Sequence, residues 1–90
     1  MSLLDALKTH HFRSPLQARE AAIRYAGGID ALFFVYWRDG MTSAQQAVVR
    51  DDRRIRYICL WDHDRGRSTF ALHAVNRDGT AGGLVWRGEA

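Results

Sequence analysis

The residues that could carry chemistry are few. Asp62-His63-Asp64 comes nearest to a metal constellation: alternating carboxylates suit a hard cation such as magnesium, and the imidazole could add a nitrogen. No second group of ligands lies close in sequence, and an exposed hairpin loop has the same composition, because Asp favours turns. We therefore expect no metal and no cofactor. His10 and His11 would point about 100° apart on a helix, so they do not chelate from one face. At a predicted helix end they suit the dipole instead. Cys59 would act as a nucleophile only with a base in reach, and His73 on the next predicted strand is the one candidate. On a strand face with Ile55 and Tyr57 it reads more simply as a small buried hydrophobe. Ser2, Ser14 and Ser43 fit helix caps. Gly79, Gly82 and Gly83 lack the strand-to-helix context and the lysine of a phosphate-binding loop. No catalytic motif emerges, and the expectation is a protein that is not an enzyme.

What stands above background is arginine. Of thirteen cationic residues only Lys8 is lysine, and the formal net charge is +3 with a pI near 9.6. Arg53, Arg54 and Arg56 form one cluster, and Arg65 and Arg67 a second. If a hairpin sets Arg56 beside Arg67, the two merge into a patch suited to phosphates or to an acidic protein surface. Trp86, on a short last strand, is the tryptophan expected to be exposed and to add an anchor, since Trp and Arg are enriched at binding hot spots. Trp37 and Trp61 are expected in the core. Asp51, Asp52, Asp62 and Asp64 can pair the same arginines and leave a plain solvated face. The interspersed acidic residues also weaken the case for a dedicated nucleic-acid surface.

Ninety residues, 47% of them hydrophobic, make one folded domain spanning 1–90. A single cysteine excludes an intrachain disulfide and suits a reducing compartment, so we expect a cytoplasmic protein. No run approaches the ~20 apolar residues of a membrane span. The N-terminus lacks the long apolar run and small-residue cleavage site of a secretory signal.

These residues must be positioned by the stretch Ile-Asp-Ala-Leu-Phe-Phe-Val-Tyr-Trp at 29–37. Its aromatic and β-branched content predicts a strand, with Ile29, Ala31, Phe33, Val35 and Trp37 on one face and Leu32, Phe34 and Tyr36 on the other. Apolar residues on both faces require cover on both sides, by helices or by a second copy of the chain. A short helix is predicted from Ser2 to about His11. A second starts at Ser14-Pro15-Leu16-Gln17, with Ser14 as cap, Pro15 in the first turn and Gln17 completing a capping box. It stops at Gly27-Gly28 and should pack on the strand that follows. Leu16, Ala22, Ile23 and Ala26 lie opposite its polar stripe. Arg38-Asp39-Gly40 ends the strand. Thr42-Ser43-Ala44-Gln45 opens a helix to about Asp51, with a strand over 44–50 as the rival reading. Strands follow at 54–62, at 68–76 and, as a short edge strand, at 84–87. The loops between them are His63-Asp64-Arg65-Gly66 and Asn76-Arg77-Asp78-Gly79.

The fold expected is therefore α+β: a mainly antiparallel sheet of about four strands with two or three helices, in the order α-α-β-α-β-β-β. The functional expectation is a non-enzymatic binding module that occupies a protein or nucleoprotein target. Direct nucleic-acid binding through the arginines is the first alternative and a small enzyme the second. The chain resembles, in kind only, the small leaderless inhibitors and regulators that phages and mobile elements encode against host machinery. That likeness rests on size and on the lack of a catalytic motif, and it attaches to no particular residue.

Overall fold

A computed structural model describes residues 8–90. Its strands are β1 (Thr9–His11), β2 (Leu32–Tyr36), β3 (Tyr57–Asp64), β4 (Arg67–Val75) and β5 (Ala81–Glu89), and its helices are α1 (Pro15–Ala26) and α2 (Ser43–Asp51). The strands form one sheet in the order β1-β5-β4-β3-β2. β1 pairs parallel with β5 and β2 parallel with β3, while β4 is antiparallel to both neighbours. Only β4 therefore runs against the rest, and the sheet is mixed.

Both helices are crossovers between parallel strands. α1 carries the chain from β1 to the opposite edge, and α2 carries it back by one strand. Crossovers of one hand that travel in opposite directions must use opposite faces. α1 indeed packs with Leu32, Cys59, Phe70, Leu72 and Trp86, whereas Val49 of α2 packs with Val35 and Ile58 on the other side. The two-sided apolar pattern of β2 and β3 follows from this cover on both faces.

Local chemistry sets the helix limits. The Ser14 hydroxyl accepts from the Gln17 amide at 3.2 Å, and Pro15 occupies the first turn. The Gln17 side chain accepts from the Arg13 amide, one residue N-terminal to the Ser14 amide that the expected capping box requires, so that box is not formed. Gly27 ends α1 in the left-handed region, with its N–H donating to Arg24 O and that of Gly28 to Ile23 O, a Schellman closure. Thr42 and Gln45 form the full reciprocal box at α2, so the rival strand over 44–50 is not formed. Ala18, Ala22 and Ala26 are the buried stripe of α1, at i, i+4 spacing, and their small size lets the helix lie close to the sheet.

Several expectations are corrected. The helix over 2–11 fails at its described end, where Thr9–His11 is a strand beside β5; residues 1–7 of that expectation lie outside the described residues. The organising strand is shorter than 29–37, because Ile29–Ala31 is a 3₁₀ turn and Trp37 begins the following turn. α1 lies across β4 and β5 rather than chiefly on β2, and Leu16 is exposed. The last strand spans nine residues and is interior, because β1 covers its far edge.

Candidate binding cleft

α2 covers only one end of its face of the sheet. The remainder is an open cleft of about 420 Å³ lined by Trp37, Leu60, Asp62, Ala71, His73 and Arg87, among others. Register explains the grouping. Leu60 lies opposite Ala71, and Ala71 opposite Arg87, so the three form one row across β3, β4 and β5; Asp62 opposite Thr69 and His73 opposite Leu84 form the rows beside it. A β-bulge between Leu72 and His73 re-aims β5 at this point. The His73 Nδ1–H donates to Gly82 O at 2.9 Å, which fixes the ring's tautomer.

One rim is built by the turn after β2. The Trp37 amide donates to Trp61 O at 2.8 Å, and the amides of Asp39 and Gly40 donate to Tyr36 O. The turn leaves the Trp37 ring 62% exposed. Arg38 Nε reaches Asp62 Oδ1 at 3.1 Å and its Nη2 reaches Asp64 Oδ2 at 3.4 Å, tying this turn to the end of β3. Arg67 and Arg87 make no ion pair among the described residues. The cleft thus joins an apolar floor, an exposed tryptophan and one arginine, Arg87, outside any ion pair among the described residues.

The predicted arginine patch does not assemble. Arg53, Arg54 and Arg56 precede β3, while Arg65 and Arg67 lie at its far end, because Asp64 is opposite Arg67 and Tyr57 is opposite Ala74. Eight residues of strand intervene, about 25 Å at ~3.3 Å per residue. The patch requires Arg56 and Arg67 to meet across neighbouring strands; the turn at Arg65-Gly66, with φ of 53° and 78°, fixes a register that puts them at opposite ends of β3. Arg54 is also held by Asp52 at 3.0 Å. The Arg54 hydrogen bonds, side chain first, then backbone, draw the Asp52 carboxyl below its ordinary pKa.

The tryptophans exchange roles with respect to expectation. Trp86 is 8% exposed, stacked on His10 at 5.5 Å and tilted against Phe12. Gly88 lets the ring lie over the strand, since a Cβ there would meet Trp86 Cη2 at 2.5 Å. Trp37 is the exposed one. A signal for this was present: Trp37 directly precedes Arg-Asp-Gly, so it stands where the strand gives way to a turn.

Cys59 and His73 lie on opposite faces of the sheet, so they form no nucleophile–base pair. Burial pushes the Cys59 thiol up to about 12. A pairing missed in the sequence is His63 Nδ1 with Ser68 Oγ at 2.8 Å, in an apolar groove of about 570 Å³ beside Arg19, Phe34 and Phe70. Ser68 is buried, and among the described residues His63 has no carboxylate to orient it, so this contact satisfies a buried hydroxyl. No group of three or more His, Cys, Asp or Glu side chains is placed to hold a metal among the described residues. No described helix is long and apolar enough to cross a membrane.

In comparisons with protein-family models, curated proteins and solved structures, the chain matches none.

Proposed function

We propose that the chain is a non-enzymatic binding module that occupies a protein target through the open end of the α2 face. The observation that carries this is the exposed Trp37 ring beside a cleft floored by Leu60, Ala71 and Leu84 and bordered by Arg87. Such a surface suits an apolar side chain flanked by a carboxylate, with the aromatic and the guanidinium as anchors. The nucleic-acid reading loses support from the register, because the arginines lie at both ends of the hairpin rather than along one face. A reducing, cytoplasmic setting suits the single buried thiol.

The test is capture of partners from the source organism's lysate, with and without nuclease, using wild type, Trp37→Ala/Arg87→Ala and Arg54→Ala/Arg56→Ala. The expected partner survives nuclease, is lost with the first double variant and is retained with the second. A partner indifferent to Trp37 and Arg87 would overturn the assignment. So would tight binding of a naked oligonucleotide that weakens steeply with salt. Turnover abolished by Ser68→Ala would replace the binding reading with an enzymatic one.

A further inference from the structure

Edge strand β2 carries a self-complementary set of backbone groups. Trp37 N–H donates to Trp61 O and Arg56 N–H to Ala31 O, so the odd-numbered residues turn their backbone groups toward β3. Leu32, Phe34 and Tyr36 turn theirs outward. Leu32 N–H is used locally, donating to Ile29 O, and Tyr36 O accepts from Asp39 and Gly40. Leu32 O, Phe34 N–H, Phe34 O and Tyr36 N–H remain, with no partner among the described residues. Buried or paired backbone groups are the rule, and an edge that leaves such a row open is a template for another strand.

We propose that a second copy of this chain pairs with that edge, antiparallel about a two-fold axis at Phe34. Each Phe34 N–H then donates to Phe34 O of the other copy, and each Tyr36 N–H to Leu32 O of the other copy. Every remaining outward group is satisfied, and the two that would form the next bonds outward are those already used inside each chain. The same register brings Ile29 and Asp30 of one copy to the end of the seam where the other carries Trp37 and Arg38. Ile29 and Trp37 are 52% and 62% exposed, so apolar surface meets apolar surface and an acid faces a base. β2 itself has no charge, proline or glycine to block pairing, whereas the opposite edge, β1, is three residues long and polar. α1 lies mainly over β4 and β5 and reaches the seam through Arg19, whose guanidinium stands 5.0 Å from the centre of the Phe34 ring in its own copy. The two-fold is isologous and closed, and it sets both open clefts on one side of a ten-stranded sheet.

Sedimentation equilibrium up to about 1 mM chain, with melts across that range, tests the pairing. The expected result is a monomer–dimer equilibrium with a melting temperature that rises with concentration. Phe34→Pro and Tyr36→Pro each delete one outward N–H that the monomer does not use, and should give monomers. Because proline can also disturb the strand, cysteine crosslinking supplies an independent reading of register. Phe34→Cys should oxidise to an intermolecular disulfide, its Cα atoms being about 5.5 Å apart across the axis. Phe33→Cys, facing the other side of the sheet and off the axis, should not. A wild type that stays monomeric throughout, a dimer that survives both proline variants in folded protein, or crosslinking equal at positions 33 and 34 would each overturn the proposal.

Discussion

The two faces of the sheet are covered by helices of different make. α1 is twelve residues long and presents three alanines at i, i+4 spacing, so it settles close over Leu72, Phe70 and Trp86. α2 is nine residues long and buries one side chain, Val49, against Val35 and Ile58. It is held near its middle by the β4–β5 turn, where Gln46 Nε2 donates to Asp78 O at 2.9 Å. Cover on the second face stops there, and the apolar residues beyond it become a cleft rather than core. The difference teaches that in a sheet with apolar residues on both sides, helix length and footprint decide which of them are left for a partner.

The sharpest contrast is chemical. Under α1, Cys59 is fully buried and its thiol stands near 12, so its thiolate fraction at pH 8 is about three orders of magnitude below that of an ordinary cysteine. Native protein should resist alkylation and become reactive only on unfolding, which a thiol-labelling time course in increasing urea would show. Fast native labelling would mean that α1 opens readily and that the two faces are alike.

In stability the covered parts should match. Trp86→Ala should cost about 3–5 kcal/mol and Ile58→Ala about 2–5 kcal/mol in urea melts, because both side chains are buried, one under each helix. If Ile58→Ala is nearly neutral, α2 only rests on the sheet. A subtler break is Gly79→Ala. Gly79 has φ of 88°, and a Cβ there would overlap Gln46 O, so the turn that seats α2 must give way. A cost of about 1–3 kcal/mol is expected, with loss of helical signal confined to α2 by NMR.

Much of this asymmetry was legible in the residues. Both helix starts, the Gly27-Gly28 stop, the strand-helix-strand order around α2 and the turn at Asn76–Gly79 are local signals and form where they are read. The first hairpin loop instead tightens from His63–Gly66 to Arg65-Gly66, because His63 and Asp64 extend β3. What was not legible depends on partners distant in sequence. Thr9–His11 is a strand only because β5 lies beside it. Trp86 is buried only because α1, His10 and Phe12 meet over it, and Gly88 makes room. The arginine clusters separate because of a register that a two-residue turn sets. β2 and β3 run parallel because α2 lies between them, a consequence of the helix assignment that a hairpin-based expectation of the sheet overlooks.

Acid should act on the turns rather than on either core. Hydrogen bonds to Asp78 from the Thr80 side chain, then from the Thr80 amide, hold its carboxyl below its ordinary pKa. A folded value below the unfolded one means that protonation favours the unfolded chain. This contribution is therefore complete above the unfolded value near ~4 and is lost as pH falls through the lower folded value. Asp78→Asn should flatten the acid limb of melting temperature against pH by slightly lowering the neutral plateau while leaving the low-pH end unchanged. The group is fully solvent-exposed, so the effect is small.

In dilute protein, where the chain is a monomer, the smallest effect on stability should come from Trp37→Ala, and that smallness is its value. The ring is mostly exposed and follows a strand whose backbone bonds do not need it, since the Trp37 amide, not its side chain, holds Trp61 O. A surface change of this kind stays within about 0.5 kcal/mol, against several for the chemically identical truncation at Trp86. Emission spectra provide a second readout: removing Trp37 should subtract the most red-shifted, most readily quenched component, and removing Trp86 a blue-shifted one. If Trp37→Ala instead destabilises like a core truncation, the ring is covered in solution, and concentration dependence then identifies the cover. A cost that grows with protein concentration places a second copy over the ring at the end of the β2 seam. One independent of concentration places the ring in the fold itself, and the cleft loses its anchor.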